Sequence, residues 1–286
     1  MRRLGAVAFL LVALTAGGCT GDSPSSRPGG SASGSSPTGT TSGTPSPRRT
    51  AVAVPPAPER GACYRLSPGE LTRPTNASRP VPCTGRHNAR TIHVGRLDTV
   101  VDGHSVAVDS ATVQGQLSTT CPRRLAEFVG GSVTDRRLSR FNVVWFSPTL
   151  EQSDQGADWF RCDLVAFGTA DALLPLPRTG GLRRVLDRPA ALNTYGLCGT
   201  AAFGDPEFAR VSCGRRHAWR AIDAFDLPGG RRYPGERRLR RAGDDACADR
   251  ARSRADNRLK FTYGWEWPTR AQWNSGQHYG FCWVRA

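Results

Sequence analysis

The cysteines constrain the fold of this chain more than any other feature, because they divide into two sets of four with matching neighbours. Apart from Cys19 they stand at Cys63, Cys83, Cys121 and Cys162, and then at Cys198, Cys213, Cys247 and Cys282. One block of flanking residues repeats at a constant offset of 130 and pairs Arg86 with Arg216, His87 with His217 and Ile92 with Ile222. A second block repeats at an offset of 120 and pairs Phe141 with Phe261, Trp145 with Trp265, Pro148 with Pro268, Thr149 with Thr269, Gln152 with Gln272, Gly156 with Gly276 and Cys162 with Cys282. Such self-similarity predicts one module that was copied once.

An even number of cysteines favours disulfides in an exported chain, because the compartment beyond the membrane is oxidising. Duplication favours pairing inside each module, although four cysteines in one module still allow alternative pairings. We predict the bonds Cys63–Cys83, Cys121–Cys162, Cys198–Cys213 and Cys247–Cys282. Metal ligation is the alternative, since a C-x3-H spacing joins Cys83 to His87 and Cys213 to His217. No CxxC pair accompanies these residues and structural zinc usually has four ligands, so we expect no metal.

The amino-terminal residues predict export and a lipid anchor. Arg2 and Arg3 precede an apolar run from Leu4 to Ala16, which is typical of a secretory signal and too short for a spanning helix. The residues before Cys19 resemble the lipobox of bacterial lipoproteins, with Ala16 where leucine is usual. We therefore predict a signal peptide at 1–18, lipidation of Cys19 and a location on the extracytoplasmic face of the cell membrane. An ordinary secretory signal with an incidental cysteine is the alternative.

Composition divides the remaining chain into a tether and two modules. Residues 19–57 are rich in Ser, Gly, Thr and Pro, and such a segment buries too little apolar surface to offset its ordering entropy. We expect this tether to be disordered. The modules follow at 58–170 and 194–286, joined by a connector at 171–193.

Hydrophobic periodicity predicts an α+β fold for each module, with a short antiparallel sheet and one main helix. Thr91–Leu97, Phe141–Phe146 and Phe160–Phe167 are predicted strands, and Cys63–Leu66 and Arg79–Cys83 are predicted edge strands. Asp109–Phe128 carries an apolar stripe and predicts a helix with a bend at Pro122. Its weaker counterpart combines Pro234, near a predicted helix start, with the stretch Asp244–Arg258. A cysteine on each helix would fasten it to the last strand of the sheet.

The candidate binding residues are two repeated Arg-His pairs and one tryptophan, Trp265. His87 and His217 recur next to Arg86 and Arg216, which indicates either a ring hydrogen bond to a loop carbonyl or a surface contact with an anionic ligand. Trp265 belongs to a cluster of four tryptophans between Trp265 and Trp283, which are either core residues or an exposed face for stacking on sugars. The net charge is +15 and Lys260 is the only lysine, so the positive charge is almost all arginine, which suits bidentate contacts with phosphate or carboxylate.

Catalytic patterns are few. The chain has no GxSxG, no HExxH and no glycine-rich loop opening a helix, and pairing of eight cysteines would leave none as a nucleophile. Asp223 and Asp226 form a loose acid/base set near His217, but the first module has no counterpart. We expect no enzymatic activity, no cofactor and no nucleic-acid partner.

These residues together resemble the septum formation family of actinobacterial envelope proteins. The resemblance rests on Gly61-Ala62-Cys63-Tyr64, on the Val-x-Cys-x-x-x-His pattern at Val81–His87 and Val211–His217, on the cysteine within each helix, and on the aromatic-Pro-Thr stretch before each last cysteine. It implies a non-enzymatic, membrane-associated domain linked to cell division, with no catalytic residues to carry over. Arg90 and Arg220 stand where the family often has an acidic residue.

The combined expectation is a membrane-tethered lipoprotein with two non-catalytic binding modules. It would act as an interaction or scaffolding component of the cell envelope, linked to septum formation, with an envelope or division protein as partner. The alternative is a module that binds or senses the cell wall or an anionic wall polymer. A wall hydrolase is a third interpretation, which requires a nucleophile or carboxylate cluster in one pocket.

Overall fold

The structure is a computed structural model that describes residues 53–286. The predicted signal peptide, Cys19 and all but the last residues of the predicted tether lie outside the described residues. Within residues 53–286, none of the helices combines the length and the apolar character needed to cross a membrane.

The first module contains a four-stranded antiparallel sheet and one long helix. Its strands are β1 (Cys63–Tyr64), β2 (Ala89–Arg96), β5 (Phe141–Phe146) and β6 (Trp159–Ala166), in the spatial order β1-β2-β6-β5. A separate hairpin is formed by β3 (Val100–Val101) and β4 (His104–Ser105), and the helices are α1 (Ala111–Val129), α2 (Val133–Arg137) and α3 (Leu150–Asp154). A short 3-10 helix lies at Pro68–Glu70. The predicted α+β class is confirmed.

The second module, all of which the structure describes, repeats the arrangement of the sheet and the long helix, without counterparts to the β3–β4 hairpin and α2. After two 3-10 turns (Val185–Asp187 and Pro189–Ala191) and α4 (Leu192–Tyr195), its elements are β7 (Leu197–Gly199), β8 (Arg210–Ser212), β9 (Trp219–Asp226), α5 (Glu236–Arg254), β10 (Tyr263–Glu266), α6 (Arg270–Asn274) and β11 (Tyr279–Arg285). The sheet order is β8-β7-β9-β11-β10, so β7, β9, β11 and β10 occupy the places of β1, β2, β6 and β5. Strand β8 has no full counterpart, since Val81 forms only an isolated bridge to Cys63 in the first module. The matching order agrees with duplication.

The four disulfides are those predicted from the duplication. Cys63–Cys83 joins β1 to the segment before β2, and Cys198–Cys213 joins β7 to the residue after β8. Cys121–Cys162 and Cys247–Cys282 join the long helix of each module to the central strand β6 or β11. The two helix cysteines and their partners are fully buried. Each helix is therefore fixed against the same face of its sheet.

The repeated Thr-x-x-Gln and glycine residues form the same short helix in both modules. Thr149 and Thr269 are N-caps whose hydroxyl accepts the amide proton of Gln152 or Gln272, and the glutamine side chain accepts the threonine amide proton in return. This reciprocal capping satisfies two amides that a helix start leaves free. Gly156 and Gly276 follow with φ of 95° and 96°, a conformation that glycine adopts without strain.

A β-bulge also recurs at equivalent residues. Thr91 pairs with Asp163 while His93 pairs with Cys162, so Ile92 is the extra residue of β2. Ala221 pairs with Trp283 while Asp223 pairs with Cys282, so Ile222 is the extra residue of β9. Both isoleucines are buried on the helix side of the sheet. The bulge therefore places the next residue, His93 or Asp223, beside the arginine of the long helix in each module, Arg124 or Arg250.

The two cores fill the same space with different side chains. In the cross-strand pair of the first module Gly95 lies opposite Phe160, whose ring would be 2.6 Å from a Cβ added to the glycine. The second module exchanges the sizes, since Phe225 lies opposite Gly280. In the first module the glycine makes room for the phenylalanine ring opposite it, whereas in the second Gly280 makes room for the indole of Trp265.

The two modules share contacts through the segments before β5 and β7. Backbone hydrogen bonds join Arg140 to Tyr195 and Leu197 to Leu138, at 2.6 and 2.7 Å. The side chain of Leu138 is buried in the core of the second module, where its neighbours include Trp219, Phe281 and Trp283. Connector residues Leu176, Leu182, Val185 and Leu186 are buried in the core of the first module. Residues 53–286 thus belong to one compact unit.

Two sequence-based element predictions were wrong in detail. Arg79–Cys83 forms no strand apart from the bridge at Val81, because its prolines remove ladder donors. The second helix begins at Glu236, close to the start predicted at Pro234, and ends at Arg254 instead of Arg258. Apolar spacing indicated it only from Asp244 onward, because Gly243 is a buried position without an apolar side chain.

Candidate functional site

The two repeated histidines lie in identical turns beside a disulfide. The Nδ1 atom of His87 donates to the carbonyl of Gly85 at 3.0 Å, and that of His217 donates to the carbonyl of Arg215 at 2.7 Å. His87 is only 3% exposed, whereas His217 is half-buried. Of the two interpretations of these histidines, the structure has the hydrogen bond to a loop carbonyl. This bond accounts for their recurrence through the shape of the turn.

The neighbouring arginines remain available at the surface. Arg86 and Arg216 are both exposed. Arg86 lines a groove of about 350 Å³ together with Arg65, His87 and Pro175, and the Nε atom of Arg65 donates to the Arg86 carbonyl at 2.7 Å. The structure therefore places Arg86 at a shallow groove, with the His87 ring forming part of its wall.

Three of the four clustered tryptophans of the second module are core residues, and the fourth, Trp267, is half-buried. Trp265, Trp273 and Trp283 are 5%, 0% and 0% exposed. The indole nitrogen of Trp265 donates to the carbonyl of Leu239 at 3.2 Å, so its polar atom is satisfied inside the protein. Of the two interpretations of this cluster, the structure has core packing for these three residues. Trp265 therefore offers no surface to a ligand, which corrects its choice as a candidate binding residue. Close packing between α5 and the sheet is the physical reason.

The carboxylates that resembled an acid/base pair are held by arginines. Asp223 accepts from Arg250 at 2.5 Å, and Asp226 accepts from Arg137 at 2.7 Å. The cysteines spaced toward His87 and His217 are in disulfides, which removes them as metal ligands. Over residues 53–286 no group of three or more His, Cys, Asp or Glu side chains is arranged to hold a metal ion.

A cleft between the long helix and the bulged strand is present in both modules and was not found from the sequence. In the first module it has a volume of about 230 Å³ and is lined by Arg60, His93, Arg124, Glu127 and Arg183, among others. In the second module the equivalent residues Asp223 and Arg250 line a larger pocket of about 430 Å³, whose walls also include residues of the first module and the connector, such as Asp135 and Leu192. The available signal was the arginine three residues after each helix cysteine, at Arg124 and Arg250.

The electrostatics of the first cleft are set by its arginines. Burial lowers the pKa of His93, and the charges of Arg124 and Arg60 lower that pKa further. Glu127 acts in the opposite direction, and it pairs with Arg124 at 2.9 Å. The imidazole is thus kept neutral in positively charged surroundings, because a further positive charge there is unfavourable.

Together, the fold and the paired histidine turns define a tandem, disulfide-linked α+β protein. The sequence profile described as septum formation matches residues 39–145 and 132–282, so the chain belongs to the septum formation family. The second matched range begins inside the first module, just before Leu138 enters the core of the second. Neither a curated protein nor a solved structure showed a significant match to the chain.

Proposed function

We propose that this protein is a membrane-tethered, extracytoplasmic lipoprotein whose two modules bind a partner in the cell envelope without catalysing a reaction. It acts as an interaction or scaffolding component of septum formation. Membership of the septum formation family is the observation that carries the septal part of this proposal. The lipobox-like residues before Cys19 support the tether.

The four disulfides support a location outside the cytoplasm. All eight cysteines between residues 53 and 286 are paired, and disulfides persist in oxidising compartments but are rare in the cytosol. A tethered location would also place the arginine-rich modules near anionic lipids and wall polymers, whose attraction to them weakens as salt is added.

The occupied polar groups support a non-catalytic role. Asp223 and Asp226 are ion-paired with arginines, and both repeated histidines donate to loop carbonyls. A general base must reach a substrate proton, and both carboxylates already have arginine partners. The histidine bonds use Nδ1 and hold each ring in its turn.

Depletion of the protein from the cells that make it tests the septal role. We expect fewer completed septa and longer cells, with recovery when the full chain is supplied again. The Cys19→Ala chain should appear in the soluble fraction and restore septation less well. Normal septation after depletion would refute the septal role, and a Cys19→Ala chain that stays with the membrane would refute the lipid tether.

Intact mass of the membrane-extracted protein tests the tether and the compartment together. We expect the mass of the chain from Cys19 onward plus acyl chains, and a gain of two hydrogens for each of four disulfides on reduction. Free thiols in the freshly extracted protein would contradict the extracytoplasmic location. Release of soluble products from wall fragments, lost in Asp223→Asn, would contradict the non-catalytic role.

Binding to an anionic wall polymer is the second candidate function. The exposed Arg86 and Arg216 and the first helix–sheet cleft favour it. Sedimentation of the protein with purified wall, reduced by added salt, would support this candidate. Unchanged sedimentation at high salt would speak against it.

A further inference from the structure

The helix–sheet clefts of the two modules contain equivalent residues, because the helix cysteine and the bulge recur in both, and they can be compared residue by residue. Arg124 follows Cys121 by three residues in α1, and Arg250 follows Cys247 by three residues in α5. His93 lies opposite Cys162 in the strand register, and Asp223 lies opposite Cys282. The helix-to-sheet disulfide and the bulge therefore bring one arginine and one strand residue to the same cleft in each copy.

The second module supplies its own anion to this arginine. The carboxylate of Asp223 is 7% exposed and accepts from the Nε atom of Arg250 at 2.5 Å. A charge-assisted hydrogen bond of this kind satisfies the guanidinium from inside the protein.

The first module has no such carboxylate on the strand, because His93 takes the place of Asp223. Glu127 reaches the Nη1 atom of Arg124 from the same helix, and its side chain is 54% exposed. The Nε atom of Arg124 is buried and has no hydrogen-bond partner among the described residues. Arg60 and Arg183 also line the cleft, so three arginines face one glutamate there. A buried donor without an acceptor is unfavourable, and a bound anion would satisfy it.

We propose that the first-module cleft, lined by Arg60, His93, Arg124 and Arg183, binds a phosphate group. A phosphate presents more acceptor oxygens than a carboxylate and suits guanidinium groups that approach from several directions. A volume of about 230 Å³ admits such a group together with part of the molecule that carries it. The phosphate belongs either to a wall polymer with phosphodiester links or to a lipid headgroup. This assignment is independent of the proposed septal role, and it deepens the second candidate function by naming the chemical group that the cleft binds.

Titration of the full chain tests the proposal. The chain carries Cys19→Ala to prevent acylation and is kept oxidised. The probes are inorganic phosphate, poly(glycerol phosphate) and phosphatidylglycerol vesicles, with phosphatidylcholine vesicles as the neutral comparison. We expect binding to at least one phosphate probe, and the tighter of the polymer and the anionic vesicles identifies the source. Absence of binding to all three phosphate probes overturns the proposal.

The decisive variant is His93→Asp, which gives the first module the internal carboxylate of the second. We expect its affinity to fall at least about tenfold, the equivalent of losing one charge-assisted hydrogen bond. The matched control is His104→Asp, which makes the same charge change on the exposed strand β4 and should alter affinity less than about twofold. Equal losses in the two variants would mean general attraction to a basic protein and would overturn the site.

A second pair of variants keeps the test informative if His93→Asp folds poorly. Arg124→Gln should lose affinity about as strongly, whereas Arg258→Gln, at an exposed position outside the cleft, should bind like the parent chain. Nuclear magnetic resonance of the His93 ring gives an independent readout. A bound anion among Arg60, Arg123, Arg124, Glu127 and Arg183 should raise the pKa of His93, and an unchanged pKa at saturating phosphate would overturn the assignment.

Discussion

Substitution of Gly243 by alanine should destabilise the protein, although alanine is the better helix former. Gly243 lies within α5, and its Cα faces the indole of Trp265. A Cβ added there would lie 2.5 Å from the Cε2 atom of the indole and closer still to Cζ2 and Cη2. Gly280 of β11 also meets this ring, and a Cβ added to it would lie 2.7 Å from Cζ2. The indole is therefore in close contact with two glycines, one on the helix and one on the sheet.

The magnitude follows from two opposing effects. The indole would have to retreat by roughly 1 Å or more to restore ordinary carbon contacts near 3.5–4.0 Å. Forced overpacking costs about 1–3 kcal/mol, and Gly280 blocks relaxation, so we expect the upper part of that range. Alanine returns about 0.5–1 kcal/mol of helix propensity. The net loss in free energy of unfolding should be about 2 kcal/mol, or about 4–8 °C in melting temperature.

Urea denaturation of the oxidised chain, followed by tryptophan fluorescence, measures this loss. Gly115→Ala is the matched control, because Gly115 is an exposed position of α1 where an added Cβ meets nothing within 4 Å. It should stabilise the protein by about 0.5–1 kcal/mol. Combining Gly243→Ala with Trp265→Phe should remove most of the cost, because phenylalanine lacks part of the ring that the new methyl group meets.

A Gly243→Ala chain as stable as the parent would refute this account of the core. So would a cost that persists unchanged in the Trp265→Phe background, since the contact with the indole would then not be its cause. A double-mutant cycle over the two positions gives the coupling directly.

Three further perturbations test other parts of the structure. Replacing both Cys247 and Cys282 by alanine should lower the free energy of unfolding by about 3.8 kcal/mol, the value that the chain-entropy model gives for a separation of 35 residues. A loss below about 1 kcal/mol in urea denaturation would contradict a helix fixed to the sheet by this disulfide. Hydrogen bonds from neighbouring serines lower the pKa of Glu70 from 4.5 to about 2, so its stabilising effect is complete above pH 4.5 and is lost as the pH falls toward 2. A Glu70→Gln chain should therefore be less stable than the parent at neutral pH and equally stable in acid. A difference in urea midpoint that stays constant with pH would contradict this. Leu138→Ala should lower the free energy of unfolding by about 2–5 kcal/mol, because the Leu138 side chain is buried in the core of the other module. The control Val133→Ala, at a position 53% exposed, should change it by less than about 0.5 kcal/mol. Similar melting temperatures for the two variants would contradict the shared core.

The repeat made much of the fold predictable. A matched residue such as Thr149 or Gly156 has a local role, as a helix cap or a residue with positive φ, and local roles are visible in a sequence. Apolar spacing likewise located the strand Phe141–Phe146 correctly. Pro234 likewise indicated the start of α5. Apolar spacing indicated this helix only from Asp244 onward, because Gly243 has no side chain and packs against the ring of Trp265 from a distant strand.

The candidate site shows the same division. The sequence identified His87 and His217 as recurring residues close to predicted disulfides, because both features follow from residue types at fixed spacings. It gave no indication that Arg124 and His93 share a cleft, since they are far apart in sequence and come together through a disulfide and a bulge.

By itself, the sequence determined the duplication and the α+β character of each copy, because both depend on residue types at fixed spacings. Only the tertiary structure decided which cysteines pair within each module and that Trp265, Trp273 and Trp283 are core residues. It also decided that Leu138 belongs to the core of the other module and that the strand supplies a carboxylate to one cleft and not to the other. The physical reason is that burial and charge pairing depend on which surfaces meet in space, and the same local pattern is compatible with several ways of filling the space between helix and sheet.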